Sequence, residues 1–125
     1  MFESTNAFSG FAVADLDAAR SFYADTLGIR VTQEEMGFLT LHLAGGSRPT
    51  LVYPKPDVEP ANYTILNFEV DDVDAAVDEL TSRGVAFEKY DCFDQDEKGI
   101  ARGEGPDIAW FKDPSGNILA VLKTG

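Results

Sequence analysis

The sequence predicts an α+β fold made of two β-α-β-β-β modules within one domain. Three observations lead there. First, Phe11-Ala-Val-Ala-Asp-Leu-Asp-Ala-Ala19 lies over Phe68-Glu-Val-Asp-Asp-Val-Asp-Ala-Ala76, and Phe, Val, both Asp and both Ala coincide. Second, after one deleted residue in the helix, Gly28 lies over Gly84. Each segment therefore runs strand, capped helix and glycine stop in the same order, the mark of an internal duplication. Third, residues 107–122 read as two strands joined by a tight turn. Apolar residues alternate with period two on either side of Asp113-Pro-Ser-Gly116. Pro114 presets φ in that turn and Gly116 accepts a positive one.

Taken in order, residues 7–13 form the first strand. Asp15 caps a helix whose apolar stripe is Leu16, Ala19, Tyr23 and Leu27, with Phe22 beside it and Gly28 as its stop. Three strands follow. Residues 30–36 are polar and suit an edge. Residues 38–44 alternate, with Leu39, Leu41 and Leu43 opposite Phe38, Thr40 and His42. Gly45-Gly46-Ser47 turns the chain into Thr50–Tyr53. The first module thus spans 5–54. Residues 54–62 carry Pro54, Pro56 and Pro60, which suit no central strand, and 55–62 reads as a semi-rigid linker. The second module, 63–123, repeats the plan. It has a strand over Tyr63–Val70, a helix capped by Asp72 with Val73, Ala76, Val77 and Leu80 on one face, a stop at Gly84, a strand over Val85–Asp91, a long loop over 92–106 and the closing hairpin.

Bulk properties bound the function. The chain has 125 residues, 44% of them apolar, enough for a packed core. The net charge of −12 repels a phosphate backbone or an anionic bilayer, so neither nucleic acid nor membrane is an expected partner. Cys92 is the only cysteine, no internal disulfide can form, and the first residues lack a signal-peptide pattern. A cytoplasmic location is expected. Cys92 has no neighbouring base to activate it. Gly99, Gly103 and Gly105 precede a strand rather than a helix, so they form no phosphate loop.

Val13-Ala-Asp-Leu16 leading into Phe22-Tyr23 and Leu27-Gly28, then Phe68-Glu-Val-Asp-Asp-Val73, then Phe111-Lys-Asp-Pro-Ser-Gly-Asn-Ile118, resemble the vicinal oxygen chelate superfamily. That superfamily includes glyoxalase I, bleomycin-resistance proteins and extradiol dioxygenases. The resemblance covers nearly the whole chain. It implies a curved mixed sheet wrapped around a cleft, helices outside, and a homodimer. It also implies one divalent metal, held from the first, fourth, fifth and eighth strands by His, Glu or Gln. Carried over one at a time, those positions fall on Phe8, on Leu51 or Tyr53, on Ile65 and on Ala120. Phe, Ile and Ala offer no lone pair. No metal and no other cofactor is therefore expected, and catalytic residues stay unassigned.

On this cup, alternation places Phe8, Phe38, Thr40, His42, Tyr53, Ile65, Asn67, Glu69, Trp110 and Ala120 on the inner wall. Such a lining suits a small, flat, mainly apolar ligand. Trp110 and Phe8 supply stacking faces. Asn67, Thr40 and His42 supply hydrogen bonds, and Glu69 a charge. Residues 92–106 are either a lid, closing through Phe93 or Ile100, or a surface excursion. The expected function is a metal-free binding protein that sequesters an antibiotic or an aromatic metabolite. The alternative is a lyase, isomerase or dioxygenase with a non-standard site, using a divalent metal or, without one, His42 or Glu69 as base.

Overall fold

A computed structural model describes residues 1–103 and 105–124. It is a small α+β structure with two α-helices and two mixed sheets, one of four strands and one of three. The chain divides into two compact units, Met1–Val58 and Glu59–Gly125.

In the first unit, β1 (Ser9–Val13), β2 (Arg30–Gln33), β3 (Leu39–Leu43) and β4 (Arg48–Pro54) form a sheet in the order β1-β4-β3-β2. β1 runs parallel to β4, and the other pairs are antiparallel. Between β1 and β2 lies helix α1 (Leu16–Ser21), which passes into a π-helical turn over Phe22–Thr26. Asp15 caps α1 by accepting from the Ala18 amide at 3.1 Å. The π turn replaces the expected plain continuation, and Leu27 N donates five residues back to Phe22 O. A π turn takes up one residue more than an α turn. The first helical segment is one residue longer than its repeat, so the insertion is absorbed there without moving Gly28.

Val13, Ala19, Tyr23, Leu39, Leu41 and Val52 are fully buried between helix and sheet, each large one worth roughly 1.5–3 kcal/mol. The Tyr23 ring packs against Phe11 and Phe22 at centroid distances of 5.7 and 5.2 Å. One expectation is corrected here. Pro54, read as unsuited to a central strand, closes β4, which is one. Lys55 N, not Pro54, donates to Val13 O, and β3 begins only at Leu39, opposite Val52. The missing N–H of Pro54 therefore faces past the end of β3, where no ladder bond is due. Val58 N bonds back to Lys55 O, closing this unit.

In the second unit, β5 (Thr64–Glu69), β6 (Ile108–Lys112) and β7 (Ile118–Leu122) pair in the order β5-β7-β6, again with a parallel first pair. Helix α2 (Val73–Ser82) is capped by Asp72, which accepts from the Ala75 amide at 3.1 Å. Phe111, Leu119, Val121 and Ala109 are buried on the side of the sheet that also carries Phe68. The strand expected over Val85–Asp91 does not form. It is reduced to an isolated bridge between Phe87 and Phe111 and one bond from Glu88 N to Trp110 O. Beyond it the chain rises onto the sheet face instead of running along the edge.

The β6–β7 turn is held by a buried pair. Asp113 Oδ1 accepts from the Ser115 and Asn117 amides, and Oδ2 from Asn117 Nδ2. Asn117 Oδ1 accepts in turn from Ala61 N at 3.4 Å. Gly116 sits at φ 94°, and a Cβ there would come within 3.1 Å of the Pro60 ring. The hairpin turn thus fixes Pro60 and Ala61 against its own unit.

Candidate functional site

Each unit presents one sheet face to its helix and an opposite face to be filled otherwise. Of the side chains expected to line a cleft, Thr40, His42, Tyr53, Asn67, Glu69, Trp110 and Ala120 fall on these opposite faces, while Phe8 and Phe38 directly precede β1 and β3. In the first unit register places Thr40, Leu51 and Gly10 in one row, with His42 and Pro49 in the row beside it. Phe8 is 67% exposed and Tyr53 42% exposed, while Phe38, Thr40 and His42 are half-buried. In the second unit Trp110, Ala120 and Asn67 share a row, and Glu69 pairs with Leu122. Asn67 and Glu69 are exposed, and Glu69 accepts from the Thr124 hydroxyl at 2.8 Å. Ile65 lies in the register shift between Thr64 and Leu66.

The first unit carries a polar chain across β2 and β3. Thr40 Oγ1 and Thr32 Oγ1 both donate to Glu34 Oε1, at 3.0 and 3.1 Å. Thr32 Oγ1 lies 2.9 Å from His42 Nε2. Thr32 and Glu34 were passed over in the sequence as a polar edge. Their signal was the alternation Arg30, Thr32, Glu34 facing Thr40 and His42 across a hairpin.

The second unit carries an aromatic stack. The Phe93 ring stacks on Trp110 at 4.8 Å and 24°, and Tyr90 meets Trp110 edge-on at 5.6 Å. This covers Trp110 and Ala120, which are 9% and 0% exposed although they face away from α2. The Tyr90 hydroxyl is buried with no hydrogen-bond partner. Burial pushes its pKa up, Glu88 adds to that and Lys112 opposes it. Beside the stack lies a pocket of about 250 Å³, lined by Phe93, Asp94, Ala101, Arg102, Ile108 and Trp110 among others.

The 92–106 stretch is tied down at its described residues. Gln95 bonds to Tyr90 N, Glu88 O and Gly99 O, and Ala101 bridges Ile108. Ile100 is fully buried, so it is core and not a closing lip. Arg102 binds Asp74 through both carboxylate oxygens, at 2.8 and 2.9 Å, and also reaches Asp96 and Asp107. Lys98 reaches Asp78 and Asp74. Hydrogen bonds that Arg102 donates to Asp74 and Asp96 push its pKa further up, and those from Lys98 to Asp78 and Asp74 do the same for Lys98. Burial pushes the Asp96 carboxyl up, but bonds from Ile100 N, Arg102 and Lys98 N together outweigh it and hold it below its ordinary range. Cys92 is exposed and free.

The metal test is made on donor chemistry. Phe8, Leu51, Ile65 and Ala120 carry no donor atom, and Tyr53 offers only a phenol. Among the described residues no group of three or more His, Cys, Asp or Glu side chains is placed to hold a metal ion. The residues at the superfamily's ligand positions do not fit a divalent cation. No helix among them is long and apolar enough to cross a membrane.

Comparison with known proteins agrees with this topology. TnmS3, an antibiotic binding protein from Streptomyces sp. CB03234, is 24% identical over 98% of each chain, with a TM-score of 0.74. A glyoxalase/bleomycin resistance protein from the same organism is 25% identical, over 94% of this chain and 100% of that one, with a TM-score of 0.66. A superfamily member from Sphaerobacter thermophilus DSM 20745 is 23% identical, over 96% and 98%, with a TM-score of 0.71. No curated protein gives a significant match. The family model for the Glyoxalase/Bleomycin resistance protein/Dioxygenase superfamily matches residues 7–121. With that match over nearly its full length, the chain belongs to the glyoxalase/bleomycin resistance protein/dioxygenase superfamily.

Proposed function

We propose that this chain is a metal-free small-molecule-binding protein that sequesters an antibiotic or an aromatic metabolite, acting as a cytoplasmic homodimer. The observation that carries the reading is the Trp110–Phe93 stack beside the 250 Å³ pocket. A flat ring entering there meets aromatic walls, an aliphatic floor at Ala101 and Ile108, and a few charged groups at Arg102 and Asp94. Small-molecule sites have that make-up. The antibiotic binding described for TnmS3 supports the class of ligand, and the donor-free positions support the absence of metal.

Trp110 is the chain's single tryptophan, so its fluorescence reports the site directly. Titration with a panel of planar aromatic antibiotics is expected to give saturable quenching that weakens in Phe93→Ala. Flat titrations across the panel would sink the reading. An enzyme of the same superfamily is the second reading, favoured by the Glu34–Thr32–His42 chain. Stoichiometric Zn, Fe, Mn or Ni in protein purified without chelator, lost in His42→Ala, would select it.

A further inference from the structure

The protonation of the first unit's polar chain follows from counting hydrogens. The Glu34 carboxylate accepts from both threonine hydroxyls. Thr32 has one hydroxyl proton and gives it to Glu34 Oε1. The contact between Thr32 Oγ1 and His42 Nε2 at 2.9 Å must then be supplied with a hydrogen by the imidazole. A neutral imidazole that donates through Nε2 carries a free lone pair on Nδ1. Among the described residues, no hydrogen bond reaches that nitrogen. His42 is therefore held by a hydroxyl and a carboxylate behind it and keeps an unused acceptor.

On the β2 side His42 is paired with Arg30, and on the β4 side the surface is apolar beyond Thr40. In the neighbouring row lie Leu51 and Gly10, whose strands approach so closely that a Cβ on Gly10 would sit 3.1 Å from Leu51 O. Tyr53 stands on the same face two residues beyond Leu51, Phe8 precedes β1 two residues before Gly10, and both are exposed. Strands are about 4.8 Å apart and alternate residues about 6.6 Å. The β3 backbone that carries His42 and the β1 backbone are thus two strand spacings apart, roughly 10 Å. That span fits a bicyclic aromatic ring with a hydroxyl at one end.

We propose that this face of the first unit binds a hydroxylated aromatic ligand, with His42 Nδ1 accepting the ligand's hydroxyl and the Gly10–Leu51 strip supporting its ring between Phe8 and Tyr53. Thr32 and Glu34 are positioning residues that fix the imidazole. The proposal rests on the binding reading above only in its premise that an organic ligand is held. It adds the chemical group that is recognised.

The test uses the full chain with 2-naphthol and its methyl ether, 2-methoxynaphthalene, as probes. His42 is the only histidine, so one imidazole spectrum reports on it, and the Gly10 and Leu51 amides report in every variant. The imidazole is expected as the tautomer that carries its hydrogen on Nε2. 2-Naphthol should move Nδ1 and both amides saturably, and the ether should bind about tenfold more weakly. His42→Phe should erase the difference between the probes. Thr32→Val should narrow it and Thr32→Ser restore it. A tautomer with its hydrogen on Nδ1, equal affinities in the unaltered chain, a difference that persists in His42→Phe, or no naphthol-induced shift would each overturn the proposal. So would a His42 shift that follows protein concentration alone, since a second copy would then occupy the face. Trp110 quenching by the antibiotic panel with Nδ1 unmoved by naphthol would leave the earlier reading standing and remove this one.

Discussion

The two units share a scaffold and differ in what they put on it. Both pair their first and last strands in parallel, and both cap a helix with an aspartate that reaches the amide three residues on. Their middle rows correspond across the sheet: Thr40–Leu51–Gly10 in the first, Trp110–Ala120–Asn67 in the second. In the first, the row borders a chain of hydroxyl, carboxylate and imidazole. In the second, it lies under Tyr90 and Phe93. Charge divides as unevenly. Seven acidic residues face four basic ones through Val58, against fifteen and six from Glu59 on. The helix-facing side must pack, so duplication preserved it. The other side has no such duty, and there each copy was free to acquire its own chemistry.

That contrast can be broken most sharply at Trp110. Trp110→Ala should lower unfolding free energy by about 3–5 kcal/mol, since a large buried ring is lost. Thr40→Ala, at the matching position, should cost less than about 1.5 kcal/mol. Urea midpoints at constant m-value compare them, and equal costs would mean that the faces are not differently covered. Asp113→Ala should follow at about 3 kcal/mol, because it strands two amides and the Asn117 side chain. Its effect should appear as faster hydrogen exchange at Ser115 and Asn117.

Acid sharpens the comparison further. The Asp96 carboxyl is held below 3.8, its unperturbed value. Its contribution is therefore present above that pH and is lost as pH falls through the depressed value. Exchange at the Lys98 and Ile100 amides should rise below pH 3.8 before the β1–β4 amides respond. The smallest effect is expected for Arg102→Gln, which leaves the fold intact. It should speed exchange at Ala101 by about tenfold at low salt, and less at 1 M salt, where exposed ion pairs are already screened.

Much of the fold was legible because its signals are local. Asp15, Asp72, Gly28 and Gly84 mark caps and stops by residue type alone. Leu39 and Leu41 declare their face by alternation. What escaped was set by contacts distant in sequence. Val85–Asp91 has strand-like residues, but Tyr90 is drawn onto Trp110, twenty residues away, and pairing stops at Phe87. Ile100 sits in an acidic, glycine-rich stretch, yet it is buried once Gln95 and Asp96 fold that stretch back. Within the candidate site, His42 and Thr40 were readable as a polar pair on a strand. Their connection to Glu34 depended on the register of β2 against β3, which no single strand reveals.

The joint between the units has a practical meaning. Lys55 and Val58 are bonded into the first unit, and Pro60 and Ala61 are pinned by the second, which leaves Glu59 between them. Extra residues spliced in at Glu59 break none of these bonds, and each doubling of a flexible tether costs only about 0.6 kcal/mol. This is the natural place to graft a reporter or to open the chain for permutation.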